Sequence, residues 1–138
     1  MPVQALKRPR TGERLDWRPE LGATVDWGGG RRLLCRACGE PITDDASRTS
    51  VAGSHLHRRT NPVGVSFDFW CFERAPGAIS VGRATREDSW FSGHAWAFAL
   101  CGACGEQLGW SFEGEQPPRF FGLICDRLEP EEEAPPPS

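Results

Sequence analysis

The sequence predicts a mainly β domain built from short antiparallel strands, and three observations carry that prediction. Residues 65–72, V-S-F-D-F-W-C-F, alternate and are rich in β formers. Residues 107–113 alternate again, placing Leu108, Trp110 and Phe112 on one face opposite Gly109 and Ser111. No stretch holds a helical period beyond two turns.

Taken in order, residues 1–31 read as an N-terminal arm, partly disordered, with prolines at 2, 9 and 19 and a closing Gly28-Gly29-Gly30. Trp17 and Trp27 are isolated there and are expected to staple the arm to the domain surface. Residues 31–35 form a short strand leading into C-R-A-C-G-E, and the polar stretch 43–54 reads as loop. Residues 55–72 are extended chain broken by the turn Asn61-Pro62-Val63-Gly64. Within them Val65, Phe67, Phe69 and Cys71 fall on one face, and Ser66, Asp68, Trp70 and Phe72 on the other. Pro76-Gly77 turns the chain into a strand over 78–82, and 83–88 is loop. Trp90 lies in a loop beside Gly93, Trp96 opens a strand, and 119–125 is the final strand. The folded domain is expected over 32–128, followed by a disordered acidic, proline-rich tail over 129–138.

A chain of 138 residues holds one such domain with tails. Its formal net charge of -3 gives no pull toward nucleic acid, and Lys7-Arg8-Pro9-Arg10 reads as a solvated tail. No apolar run reaches the roughly 18 residues of a membrane helix, and the N-terminus lacks the apolar core of a secretory signal. The expectation is a cytoplasmic protein without a membrane partner. In that compartment, two Cys-x-x-Cys pairs read as metal ligands rather than disulfides.

Cys35, Cys38, Cys101 and Cys104 supply the four sulfurs a structural zinc ion takes, each pair followed by glycine (Gly39, Gly105). The long chain between the pairs means the ion joins distant parts of one domain. Four filled positions leave none for water, so the role is structural, with a redox dithiol as the competing reading. Cys71 and Cys125 lie in apolar strands and read as buried core thiols.

Three of the six tryptophans, Trp90, Trp96 and Trp110, flank the second pair within S-W-F-S-G-H-A-W and C-G-A-C-G-E-Q-L-G-W-S-F. Small neighbours such as Ser92, Gly93, Ala95, Ala97 and Gly109 are expected to leave their rings uncovered, as walls for a flat or compact ligand.

These stretches, with F-F-G-L-I-C-D-R-L, N-P-V-G and C-R-A-C-G, resemble the CULT domain, the thalidomide-binding domain of the cereblon family, in the form of a bacterial single-domain homologue. The resemblance implies a β-tent of two antiparallel sheets pinned by a structural zinc on four cysteines. It also implies a non-enzymatic module with a tri-tryptophan cage for cyclic imides, meaning glutarimide, thalidomide-type ligands and uracil-like rings, and for cyclic-imide protein C-termini. The implied walls are Trp90, Trp96 and Trp110 over Phe112, with backbone groups at Asp88, Ser89 and Trp90 bonding the imide, and Asn61 and Pro62 on the facing loop. The chain departs from the family at Asp88, where a histidine or aromatic is usual, and at His94, where tyrosine is common. It has no room for a Lon-like region, so no ubiquitin-ligase partner is implied.

Two other functions compete. One is a methionine-sulfoxide reductase of the B type using Cys125, which needs an exposed low-pKa thiolate that the flanking Leu123, Ile124 and Asp126 do not favour. The other is an aromatic cage for methylated ammonium groups, which three indoles and Asp88 permit.

Overall fold

Nine short strands form among the described residues, because β-branched and aromatic residues recur at period two between glycine and proline turns. In the computed structural model, which describes residues 30–132, they are β1 (Arg32–Cys35), β2 (Pro41–Asp44), β3 (Leu56–Thr60), β4 (Ser66–Phe72), β5 (Ala78–Thr85), β6 (Ala95–Cys101), β7 (Gln107–Glu113), β8 (Arg119–Ile124) and β9 (Leu128–Pro130). Two antiparallel sheets result, a small one in the order β2-β1-β9 and a large one in the order β3-β4-β8-β7-β6-β5. Two single-turn 3-10 segments, Asp45–Ser47 and Cys125–Arg127, are the helical pieces among the described residues. No described helix is long and apolar enough to cross a membrane. The readings made for 1–29, including those on Trp17 and Trp27, and for 133–138 lie outside the described residues.

The large sheet is apolar on both faces. One face carries Ala99, Cys101, Phe121, Leu123 and Phe72, which pack with Leu33, Cys35, Ile42 and Leu128 of the small sheet. The opposite face carries an aromatic cluster of Phe69, Trp96, Trp110, Phe112 and Phe120, joined by Phe91 from the loop before β6. The alternation read for β4 holds: Phe67, Phe69 and Cys71 go to the aromatic side, Trp70 and Phe72 to the other.

Four elements differ from the sequence reading. Residues 43 and 44 are not loop: Thr43 and Asp44 are fully buried at the end of β2, where Thr43 Oγ1 donates to the Arg74 carbonyl (2.6 Å) and Asp44 Oδ1 accepts from Ser47 N and Oγ. These partners replace the expected solvent. β5 runs on to Thr85 through a register irregularity between Val81 and Thr85. β8 ends at Ile124 and is not final: β9 pairs with β1, through Leu33↔Pro130 and Cys35↔Leu128, and carries the sheet past the boundary drawn at Leu128.

The fourth difference concerns β7. Leu108 does not share a face with Trp110 and Phe112; it packs in the cluster facing the small sheet. A register shift opposite Ala99 and Leu100 of β6 inserts one residue and flips the alternation at Gly109. The strands close tightly there, since a Cβ on Gly109 would lie 2.0 Å from the Gly122 carbonyl oxygen. Gly109→Ala is therefore expected to push β7 from β8 and cost about 1–3 kcal/mol, as overpacking of a filled site does. A melting temperature equal to wild type would refute this.

Candidate functional site

Two places in the fold concentrate chemistry, the four-cysteine cluster and the aromatic face. Each Cys-x-x-Cys forms the same knuckle. Gly39 and Gly105 both take a left-handed φ of 83°, which glycine adopts without strain. Their amides bond back to the Cys35 and Cys101 carbonyls at 2.7 and 2.9 Å. Cys35 N and Cys101 N bond forward to Glu40 and Glu106 carbonyls, each at 2.8 Å.

Cys35 closes β1 of the small sheet and Cys101 closes β6 of the large one, so the cluster joins the two sheets. The four Sγ atoms lie within 4.8 Å of one another, with Cys35–Cys104 at 3.8 Å and Cys38–Cys101 at 3.7 Å. Such a set can hold a metal ion. Without a cation between them the sulfurs cannot all be charged. The neighbouring Cys101 sulfur, with burial, raises the Cys35 thiol far above its ordinary value, and Cys101 is lowered in turn.

The aromatic face is assembled by register. Trp96 pairs across with Phe112, Phe98 with Trp110, Phe112 with Phe120 and Phe69 with Ile124. Residues directly opposite in antiparallel strands share a face, so these side chains converge. Gly122 leaves room for this: a Cβ there would sit 2.8 Å from the Phe69 ring.

The loop over 86–94 folds across the face, with left-handed backbone at Asp88 (φ 57°) and Gly93 (φ 80°). It lays Trp90 parallel to Phe69 (centroids 5.6 Å apart) and edge-on to Trp110 (4.8 Å), and wedges Phe91 against Phe112 and Phe120. His94 is buried with its Nδ1 3.1 Å from the Ser92 carbonyl and its Nε2 2.8 Å from the Pro117 carbonyl, tying the loop to the β7–β8 turn.

Of the residues singled out from the sequence, Trp90, Trp96, Trp110 and Phe112 all join this cluster. Trp90 touches Trp110, whereas the ring contact of Trp96 is with Phe98 (5.2 Å). The rings are not left uncovered by small neighbours: Trp110 is 1% exposed, with Phe67, Phe69 and Trp90 against it, and Trp96 is 7% exposed, with Phe98 against it. Trp96 Nε1 donates to the Glu87 carbonyl (2.8 Å) and Trp90 Nε1 to the Thr60 carbonyl (3.2 Å). Asn61, next to Thr60, is buried, and Pro62 is exposed. Asp88 is exposed, while Ser89 is half-buried and its Oγ donates to the Phe91 carbonyl (3.1 Å).

Phe67, Phe69 and Phe91 belong to the cluster but were not read as site residues. The period-two face of β4 held the signal for the first two. Phe91 carried only its adjacency to Trp90.

Cys71 is fully buried in the cluster, but Cys125 is only half-buried. It lines a cavity of about 300 Å³ with Ser66, Phe67, Asp68, Ile124, Asp126 and Arg127. Burial, then the Asp68 and Asp126 carboxylates, push its thiol up to about 11. That keeps it protonated at neutral pH and unsuited to nucleophilic work.

No family model matches the chain. The chain is similar to protein cereblon of Xenopus tropicalis, 31% identical over 106 residues, and of Gallus gallus, 35% identical over 105. Each alignment covers 71% of this chain and 23% of that protein. Protein cereblon of Drosophila erecta is 44% identical over 98 residues, covering 66% of this chain and 17% of that protein. The chain thus spans about a quarter or less of the length of the curated relatives it matches. With this similarity lying on a two-sheet β fold, a four-cysteine cluster and a shared aromatic face, the chain carries a cereblon-like domain of the CULT family.

Proposed function

We propose that this domain is a non-enzymatic binding module for a small neutral ring, a cyclic imide or a uracil-like heterocycle, including one formed at a protein C-terminus. The observation that carries the reading is the meeting of Trp90, Trp96 and Trp110 in one cluster, with only Trp90 supplied by a loop. Two tryptophans stand on rigid strands, and the third is half-buried and lies against one of them. A flat ring enters by replacing the Trp90–Trp110 edge contact, and gains indole faces on both sides over Phe112. Backbone groups at Asp88, Ser89 and Trp90, with Asn61 and Pro62 opposite, supply the polar edge.

The metal in this reading is zinc, held by Cys35, Cys38, Cys101 and Cys104 and purely structural. A tetrahedron with zinc–sulfur bonds of about 2.3 Å has edges of about 3.8 Å. The 3.7 and 3.8 Å sulfur separations support that fit. The high thiol pKa of Cys125 speaks against sulfoxide reduction.

Titrations with glutarimide, uracil and a trimethylammonium compound, followed by tryptophan fluorescence, test the assignment. The two carbonyl rings are expected to perturb the emission, and Trp90→Ala is expected to remove the response. Binding of the quaternary ammonium alone would replace the imide reading with a methylammonium cage.

A further inference from the structure

The four clustered sulfurs come from two sheets that share no strand, so strand register cannot set the distance between the two cysteine pairs. The chain crosses between those sheets in the 3-10 turn Cys125–Arg127, which links β8 to β9. Arg127 is the last residue of that turn, and Leu128 after it is the cross-strand partner of Cys35. The Arg127 carbonyl accepts from Arg36 N at 3.0 Å, the first amide after Cys35. Its guanidinium reaches the other way: Nη1 donates to the Gln107 carbonyl at 2.6 Å and lies 3.6 Å from Glu106 Oε2.

These partners belong to the two knuckles. Arg36 lies between the cysteines of the first and is tied to the same turn again, its own Nη1 donating to the Asp126 carbonyl at 3.1 Å. Glu106 closes the second, since its carbonyl holds Cys101 N at 2.8 Å, and Gln107 is next in the chain. One residue therefore grips both halves of the cluster, by its main chain on one side and its side chain on the other. The Arg127–Glu106 pair is partly exposed (34% and 18%), so its Coulomb attraction alone is weak. The short charge-assisted bond to Gln107 is the directional element. The guanidinium also offsets part of the negative charge that four thiolates keep around a divalent ion.

We infer that Arg127 is a positioning residue of the metal centre: its guanidinium holds the second knuckle against the first, and so sets how readily the ion is lost to a competing ligand. The inference rests on the four cysteines holding zinc, as proposed above, and adds an outer partner that itself coordinates nothing. Removing partners of this kind typically weakens metal retention by about 10–100-fold. The carbonyl arm is main chain and survives substitution, so a side-chain variant isolates the guanidinium.

Arg127→Met keeps the aliphatic stem and removes the guanidinium, and Arg127→Lys keeps a charge without the planar fork. Arg58→Met, which loses the exposed pair with Asp68 on the edge strand β3, controls for surface charge. Zinc-loaded proteins are mixed with pyridylazoresorcinol well below their melting temperatures, and the transfer rate is followed against chelator concentration. Loss through global unfolding is independent of the chelator, whereas attack on an opened site scales with it. The chelator-dependent rate is expected to rise about tenfold in Arg127→Met and less in Arg127→Lys, with Arg58→Met at the wild-type rate. Cobalt-loaded forms are expected to keep the absorption of a tetrahedral four-sulfur site, since the ligands are unchanged. A wild-type chelator-dependent rate in Arg127→Met overturns the inference alone, even if that variant melts lower, and so does equal acceleration in Arg58→Met. Where Arg127→Met fails to fold, Arg127→Lys carries the test, acceleration upholding the inference and a wild-type rate overturning it. Wild-type protein that takes up neither zinc nor cobalt overturns the metal reading and the inference with it.

Discussion

With a structural metal in the four-cysteine cluster, as proposed above, stripping it with a chelator, or substituting Cys101→Ser, is expected to unfold the domain. Structural zinc in small domains binds with about 10–16 kcal/mol, while a whole domain is stable by about 5–15 kcal/mol. The placement of the ligands makes the dependence acute here, because Cys35 and Cys38 sit at the end of the small sheet and Cys101 and Cys104 at the end of the large one. Without the ion, four sulfurs remain within 4.8 Å with no charge to balance them, and one link between the sheets is gone.

Acid acts in the same direction. The ligands are thiolates, so protons compete with the metal, and the bound fraction falls as pH falls. Elemental analysis paired with far-UV circular dichroism across a pH series is expected to show metal loss and unfolding together. A metal-free protein with a native spectrum and a cooperative melt would contradict this.

Trp110→Ala carries the second large effect. Its indole is 1% exposed and meets Phe67, Phe69 and Trp90, so truncation leaves a cavity in the aromatic cluster and costs about 3–5 kcal/mol. For a domain of this size the melting temperature falls by more than about 10 °C. Trp90→Ala removes a half-buried ring from a loop and is expected to cost about 1–2 kcal/mol. Under the proposed function the pair separates two roles that share one cluster: loss of Trp90 is expected to abolish ligand response in a folded protein, and loss of Trp110 to weaken fold and response together. Equal melting temperatures for the two variants would show that the burial of Trp110 contributes nothing particular to stability.

Much of this arrangement was legible in the residues themselves. The spacing of Cys35, Cys38, Cys101 and Cys104, each pair trailed by glycine, specifies a metal knuckle because the chemistry is local and the turn needs a left-handed residue. The face of β4 was legible because an unbroken strand alternates strictly. The same rule failed at Leu108, which the register skips between Gln107 and Gly109, reversing the alternation without leaving a mark on composition. Thr43 and Asp44 failed for a related reason: a polar side chain announces solvent until a distant carbonyl or a nearby Ser47 is shown to satisfy it.

The sequence by itself determined the β class, the four cysteines that cluster and the identity of the tryptophans, since each rests on residue type and short spacing. Only the tertiary structure decided how those tryptophans stand: that Trp90 closes onto Trp110, that Trp96 leans on Phe98, and that Asn61 and Trp110 keep unpaired donors. The physical reason is that cross-strand register and a loop laid over a sheet are sums of many weak, long-range contacts, and no residue pattern within one strand encodes the partner it will meet on another.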